Sequence, residues 1–266
     1  MEIAFKAIGL DVLSEKKYDN LIADVESRGE VSCLPRSQGV LHGKCWKIGL
    51  GLEVWTVLYE SNSGDVFFAD CRPGFRAKFQ QKISPWIMTE YTENGETVVH
   101  GFIEDSDTEV LFELQNLTES GTSSLELQQL NIGLCGLAYR AEMLQTTENK
   151  YLWQQSEEIQ LNVLSIPASE NDWSLIGRII DFQTLCNPLT GDNLFWIYVD
   201  LNNFKLEILV NEKNLLGELK IGSFINAEVW LQGHLMNEIR PRSTYEGVDW
   251  RYSETSDFWN SLRRKN

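Results

Sequence analysis

Between Gly177 and Leu235 the chain runs through short segments in which apolar and polar residues alternate, broken by turn residues. Period-two patterning of this kind is what half-buried strands require, because successive side chains leave a strand on opposite faces. In LFWIYVDL, Phe195, Ile197, Val199 and Leu201 share one face; in FKLEILV, Phe204, Leu206, Ile208 and Val210 do. The opposite faces carry Trp196, Tyr198 and Asp200, and Lys205 and Glu207, with Asn202-Asn203 as the turn between the two strands. A loop rich in turn residues (187–193) precedes them, and NEKNLLGELKIG follows as a short helix or turn leading to a last long strand, SFINAEVWLQGHL.

The rest of the chain fits the same class. Residues 2–13 read as a strand. Ser14 then offers an N-cap to a helix over about 14–28, in which Tyr18, Leu21, Ile22 and Val25 recur at i, i+3, i+4 and i+7, and Gly29 stands where it stops. Turn residues Asn62, Ser63 and Gly64 join two β-rich runs into a hairpin over 52–71, and Asn94-Gly95 joins a second pair. Further strands follow up to about residue 144, and the closely spaced runs predict a mainly β, β-rich α+β fold with antiparallel strands and one N-terminal amphipathic helix. The polar stretch 144–156 has no strong period. It suggests a β-rich N-terminal domain over 1–145, a second β domain over 146–240, and a C-terminal tail over 241–266.

Within the second of these, the phrase L-x-x-G before a strand that ends in Gly, with Leu219, Gly222, Val229 and Gly233 at the matching places, resembles the region around the fourth strand of an OB-fold. The resemblance covers residues of about 160–240 and implies an OB-like barrel in the C-terminal half. It leaves a fifth strand to be found, either in EIQLNVLSIP or in the tail. It also implies that Trp196, Tyr198 and Lys205 lie on the outer face of the second and third strands, where such folds stack sugars or bases. The competing reading is that this face packs against the N-terminal domain.

Charge narrows the partners. With 23 Lys and Arg against 39 Asp and Glu, the formal net charge is −16. Nucleic acid recruits cationic surface through counterion release, so it is not an expected partner; a basic protein is. The tail from Glu238 onward departs from the rest, with six Lys and Arg against five Asp and Glu, a net of +1. There Tyr245, Trp250, Tyr252, Phe258 and Trp259 are interleaved with arginines that include Arg251 and Arg263. Aromatic and Arg side chains anchor interface centres, so this segment is read either as a partner contact or as a strap onto its own acidic body.

Motifs for catalysis are absent. His42, His100 and His234 form no metal-binding pair, and Cys33, Cys45, Cys71, Cys135 and Cys186 form no C-x-x-C. DCRPGFR fails the spacing of a cysteine phosphatase loop because position 77 is Ala. The acidic run Glu104, Asp105, Asp107 and Glu109 lacks the Gly and distal Glu of a calcium loop and reads as a hairpin end. No cofactor is expected. Widely spaced thiols, a start without signal-peptide features and the lack of a long apolar run predict a cytoplasmic protein outside the membrane. The leading expectation is a non-catalytic binding or accessory protein that holds a protein partner, an inhibitory or toxin-neutralising role being one form of this. The alternatives are an OB-like module for oligosaccharide or single-stranded nucleic acid, and an enzyme with a dispersed site. The residues put forward for binding are Trp196, Tyr198, Lys205, Trp250, Tyr252, Phe258, Trp259 and Arg263.

Overall fold

The computed structural model describes residues 2–91, 95–120, 129–145, 150–161 and 164–236. The architecture is mainly β with antiparallel sheets, as the alternation requires. The expected helix is α2 (Glu15–Arg28): the Ser14 side chain accepts from the Lys17 N–H, and Leu21, Ile22 and Val25 are buried on one stripe. Residues 2–13 depart from the expected strand. They open with a short helix, α1 (Glu2–Ala7), whose Ala4 and Phe5 are buried together with Ala7 and Ile8. Over so few residues the same apolar positions satisfy either period, and packing settles the choice.

A four-stranded antiparallel sheet runs in chain order through β1 (Glu30–Arg36), β2 (Gly39–Gly49), β3 (Leu52–Ser61) and β4 (Val66–Phe75). The β3–β4 pair is the first expected hairpin, with Gly64 at φ +85° in its turn, a conformation that suits glycine. The second is β5 (Gln80–Tyr91) with β6 (Glu96–Ile103), followed by β7 (Thr108–Leu114). Next comes β8 (Leu130–Leu144), then the short β9 (Leu152–Gln155) and a two-stranded ribbon of β10 (Glu158–Leu161) and β11 (Leu164–Pro167). The C-terminal strands are β12 (Asp172–Cys186), β13 (Asn193–Asp200), β14 (Lys205–Asn211), β15 (Leu215–Leu216) and β16 (Phe224–Leu235), with one 3-10 turn (Glu212–Asn214) as the short helical connection after β14.

Strands from both sides of residue 146 belong to one ten-stranded sheet. β8 is antiparallel to β16 along one edge; on its other edge it takes β5, then β14 and β15, the last two in parallel. Pairings of β12 with β13, β13 with β14, β14 with β8, β8 with β16, and β16 with β12 link five strands in a ring. Inside it lie Ile197, Val199, Leu206, Ile208, Ala138, Ile225 and Val229, continuous with Val99 and Phe112 of β6 and β7. Outside it a second core joins α1, α2 and the strands β3 and β4 to Cys135, Leu194, Trp196 and Leu209.

Charge is buried where β4 meets the larger sheet. Arg72 of β4 is 2% exposed and Glu113 of β7 3%, with Arg72 Nη1 2.5 Å from Glu113 Oε1; yet neither atom makes a well-directed hydrogen bond. Asp70 Oδ2 lies 3.7 Å from the same nitrogen. Burial pushes the Glu113 carboxyl up to about 8, although Arg72 opposes the rise. The unfolded chain gives up this proton near the ordinary 4.5, whereas the folded chain keeps it to about 8. Across that window the folded state holds the extra proton, so Glu113 makes stability fall as pH rises. We therefore expect the urea midpoint of the wild type to decline more from about pH 5 to about pH 8 than that of Glu113→Gln, which cannot ionise. Parallel declines for the two proteins would refute this assignment.

Candidate functional site

Trp196 and Tyr198 share the outer face of β13, as the alternation places them, with ring centroids 6.2 Å apart and planes within 11°. That face is covered. Trp196 is 4% exposed and half-buried Tyr198 stacks on Phe79 at 4.5 Å, while Lys78 Nζ sits 4.1 Å from the centre of the Trp196 ring. The Trp196 indole N–H donates to Glu207 Oε2 at 2.6 Å, and the backbone N–H groups of Lys78 and Phe79 donate to Glu207 Oε1, each at 2.6 Å. Lys205 lies on the same face and is exposed, cross-strand from Asp200. A ligand would have to displace Lys78 to stack on Trp196 and Phe79 to stack on Tyr198. Trp250, Tyr252, Phe258, Trp259 and Arg263 lie outside the described residues.

An open concavity lies elsewhere, a groove of about 620 Å³. This lies within the roughly 300–1,000 Å³ typical of ligand clefts. Its cause is local: β7 pairs with β16 only at Glu113 and Leu114, and the earlier part of β7 has no ladder with β12 or β9. Two tryptophans bridge the gap. The Trp153 indole N–H donates to the Glu109 carbonyl at 3.2 Å and that of Trp173 to the Leu111 carbonyl at 2.9 Å. The two rings stack at 4.2 Å with planes 7° apart, and Phe204 meets Trp153 edge-on at 5.1 Å. The polar wall includes Asp107, Glu109 and His100 with the amides Gln154, Gln155, Asn202 and Asn203, and among the described residues no Lys or Arg lines it. His100 Nε2 and Glu109 Oε1 are 2.5 Å apart.

From His100 the aromatic surface continues outward. The β5–β6 register slips between Pro85 and Ile87, leaving Trp86 as the extra residue of a bulge. Bulges re-aim side chains, and here the Trp86 ring is brought 4.6 Å from the His100 ring and 6.3 Å from Phe102. Trp86 is 50% exposed and Phe102 41%. A row Phe102–Trp86–His100 thus leads into an acidic groove backed by Trp153, Trp173 and Phe204. The acidic hairpin end contributes two members of this wall, Asp107 and Glu109, and among the described residues no group of His, Cys, Asp and Glu is placed to hold a metal ion.

Comparison with known families touches part of this architecture. Residues 159–233 match the family model described as "Domain of unknown function, E. rectale Gene description (DUF3881)". The match takes in β12, β13, β14 and nearly all of β16 but not β8, so four strands of the ring fall within it and the fifth does not. Of the groove it includes Trp173 and the turn after β13, but not Trp153 or Glu109. Neither the curated proteins nor the solved structures contain a match.

Sequence reasoning passed over Trp86, Trp153 and Trp173. Trp153 carried a signal, an indole within a polar stretch read as a boundary. The two tryptophans at the ends of the surface have different duties, and substitution separates them. Trp86→Ala removes an exposed ring and should change stability by less than about 0.5 kcal/mol. Trp153→Ala removes a stacked ring and the partner of a backbone carbonyl and should cost more than about 2 kcal/mol. Urea denaturation of both variants checks this, and equal losses would contradict it.

Proposed function

We propose that the chain is a non-catalytic binding protein that holds a basic, aromatic- or aliphatic-bearing segment of a partner protein along the Trp86–His100 row and in the adjoining groove. The observation that carries this reading is the continuity of an exposed aromatic row with a groove whose charged side chains are carboxylates. Carboxylates pair with Lys or Arg, aromatic faces hold the same cations by cation–π attraction, and exposed Trp and Phe supply apolar area. The net charge of −16 steers a basic partner toward the whole body. An inhibitory role, in which the protein covers a basic target surface, is one form such binding would take.

The five-strand ring supports the OB-like reading of the C-terminal half, since an OB-fold is a five-stranded, partly open barrel. The fifth strand, expected in EIQLNVLSIP or in the tail, would then be β8, drawn from earlier in the chain. On that reading the usual ligand face is the one under Phe79 and Lys78, which favours the groove over an oligosaccharide or nucleic-acid platform at Trp196. No helix among the described residues is long and apolar enough to cross a membrane. The buried thiols of Cys45, Cys71 and Cys135, none of them in a disulfide, support a reducing, cytoplasmic compartment.

The test is a titration of tryptophan emission in the full chain with a peptide alternating Arg and Leu, its Glu-Leu counterpart and a set of oligosaccharides. The basic peptide should bind saturably and weaken as salt is raised, and Trp86→Ala and Glu109→Gln should each lower its affinity roughly tenfold. Equal binding of the acidic peptide, a response to oligosaccharide alone, or no response to any probe would sink the proposal.

A further inference from the structure

A second cavity, of about 200 Å³, lies between α1, β4, β6, β7, β8 and the turn before β12, apart from the groove. Asp70, Arg72 and Glu113 form its floor; Glu96, Tyr139, Asn171 and Trp230 complete the wall. Ser169, exposed, lines it where it reaches solvent. Two features mark it as built for an occupant. The first is a bulge: β8 and β16 slip in register around Arg140 and Ala138, and the extra residue, Tyr139, is turned so that its hydroxyl donates to Asp172 Oδ1 at 2.9 Å. The Ser169 N–H and hydroxyl both donate to Asp172 Oδ2 at 2.7 Å, so Asp172 is satisfied and the mouth of the cavity is held in place.

The second feature is a set of polar atoms without directed partners. Among the described residues Arg72 gives one hydrogen bond, from Nη2 to the Gly95 carbonyl at 3.3 Å; its Nε finds none, and its Nη1 and Glu113 Oε1, an ion pair 2.5 Å apart, make no directed hydrogen bond. All three atoms belong to side chains more than nine-tenths buried. Buried donors and acceptors are rarely left so, and each costs free energy until something meets it. An occupant must offer an acceptor to the Arg72 Nε–H and suit the neighbouring carboxylates of Asp70 and Glu96.

This requirement discriminates between ligand classes. A simple anion would satisfy Arg72 but face Asp70 and Glu96. A simple cation would satisfy these carboxylates but leave the Arg72 Nε–H unmet. We propose that the cavity binds a small zwitterion of the amino-acid type, with its carboxylate toward Arg72 and its ammonium toward Asp70 and Glu96. The volume admits a ligand of few heavy atoms, below the roughly 300 Å³ at which drug-sized sites begin. Trp230 adds an aromatic wall beside the ammonium.

Calorimetric titration of the full chain with glycine and alanine tests the assignment, with ethylammonium and acetate as the cationic and anionic halves. Glycine or alanine should give saturable heat at millimolar concentration or below, and each half should bind at least tenfold more weakly. Glu96→Gln keeps the shape of a half-buried wall residue and removes its charge; it should keep the wild-type circular dichroism and weaken zwitterion binding roughly tenfold. Arg72→Lys should abolish binding; should that variant fail to fold, the Glu96→Gln arm decides alone. Ethylammonium or acetate binding as tightly as glycine, Glu96→Gln binding like wild type, or no heat with any probe, the result for a cavity that holds water alone, would each overturn the proposal.

Discussion

Much of the molecule depends on the pairing capacity of one strand. β8 uses one edge for an antiparallel ladder with β16 from Ile132 to Leu144, and divides the other among β5, β14 and β15. A strand can do this only if it is long enough to serve several neighbours and apolar enough to be covered on both faces. LNIGLCGLAYRAEML meets both conditions: Leu130, Ile132, Leu134 and Ala138 join one core and Cys135 and Leu137 the other. The hairpin of β5 and β6 and the C-terminal strands are thereby fixed in one sheet. Both the groove and the smaller cavity are consequences of where that sheet splits or slips.

The slips matter more than the ladders for what the surface presents. Trp86 on β5 and Tyr139 on β8 are each the odd residue of a bulge; Trp86 lies against His100 of the groove wall and Tyr139 lines the smaller cavity. In regular pairing, alternation alone would decide which face these side chains join. The bulge relieves that constraint at the cost of a local break in the ladder, which is why such irregularities collect at sites. A regular sheet of the same residues would lack both features.

This bears on what the amino-acid sequence makes legible. The β class, α2 with its Ser14 cap, the hairpin around Gly64 and the shared face of Trp196 and Tyr198 all follow from local rules of period and turn chemistry, and they stand in the structure. α1 did not follow, because six residues carry too little periodicity. Whether the Trp196 face is open could not be read from β13, since the residues that cover it, Lys78 and Phe79, lie more than a hundred positions earlier. The same holds for the ring, whose closing strand β8 lies before residue 146 and pairs with β14 and β16 far along the chain. Bulges depend on two strands at once, so no reading of one strand finds Trp86 or Tyr139.

The buried charges between β3–β4 and the larger sheet pose the sharper question of why they are there. Arg76 holds Glu53, 1% exposed, and Glu119 on the two sides of this junction, while Arg72 reaches Glu113 and Asp70. Taking such ions out of water costs about as much as their attraction returns, so apolar residues of equal volume would serve stability as well or better. What ions provide and apolar side chains do not is a demand for one alignment, because a shifted register would strand a charge in a medium that cannot solvate it. The Glu53–Arg76–Glu119 set answers that description, since both carboxylates are met. The Arg72–Glu113 pair does not: with three of its polar atoms undirected, it is a poor lock, and its composition is explained better by a role in recognition than by a role in holding the sheets together.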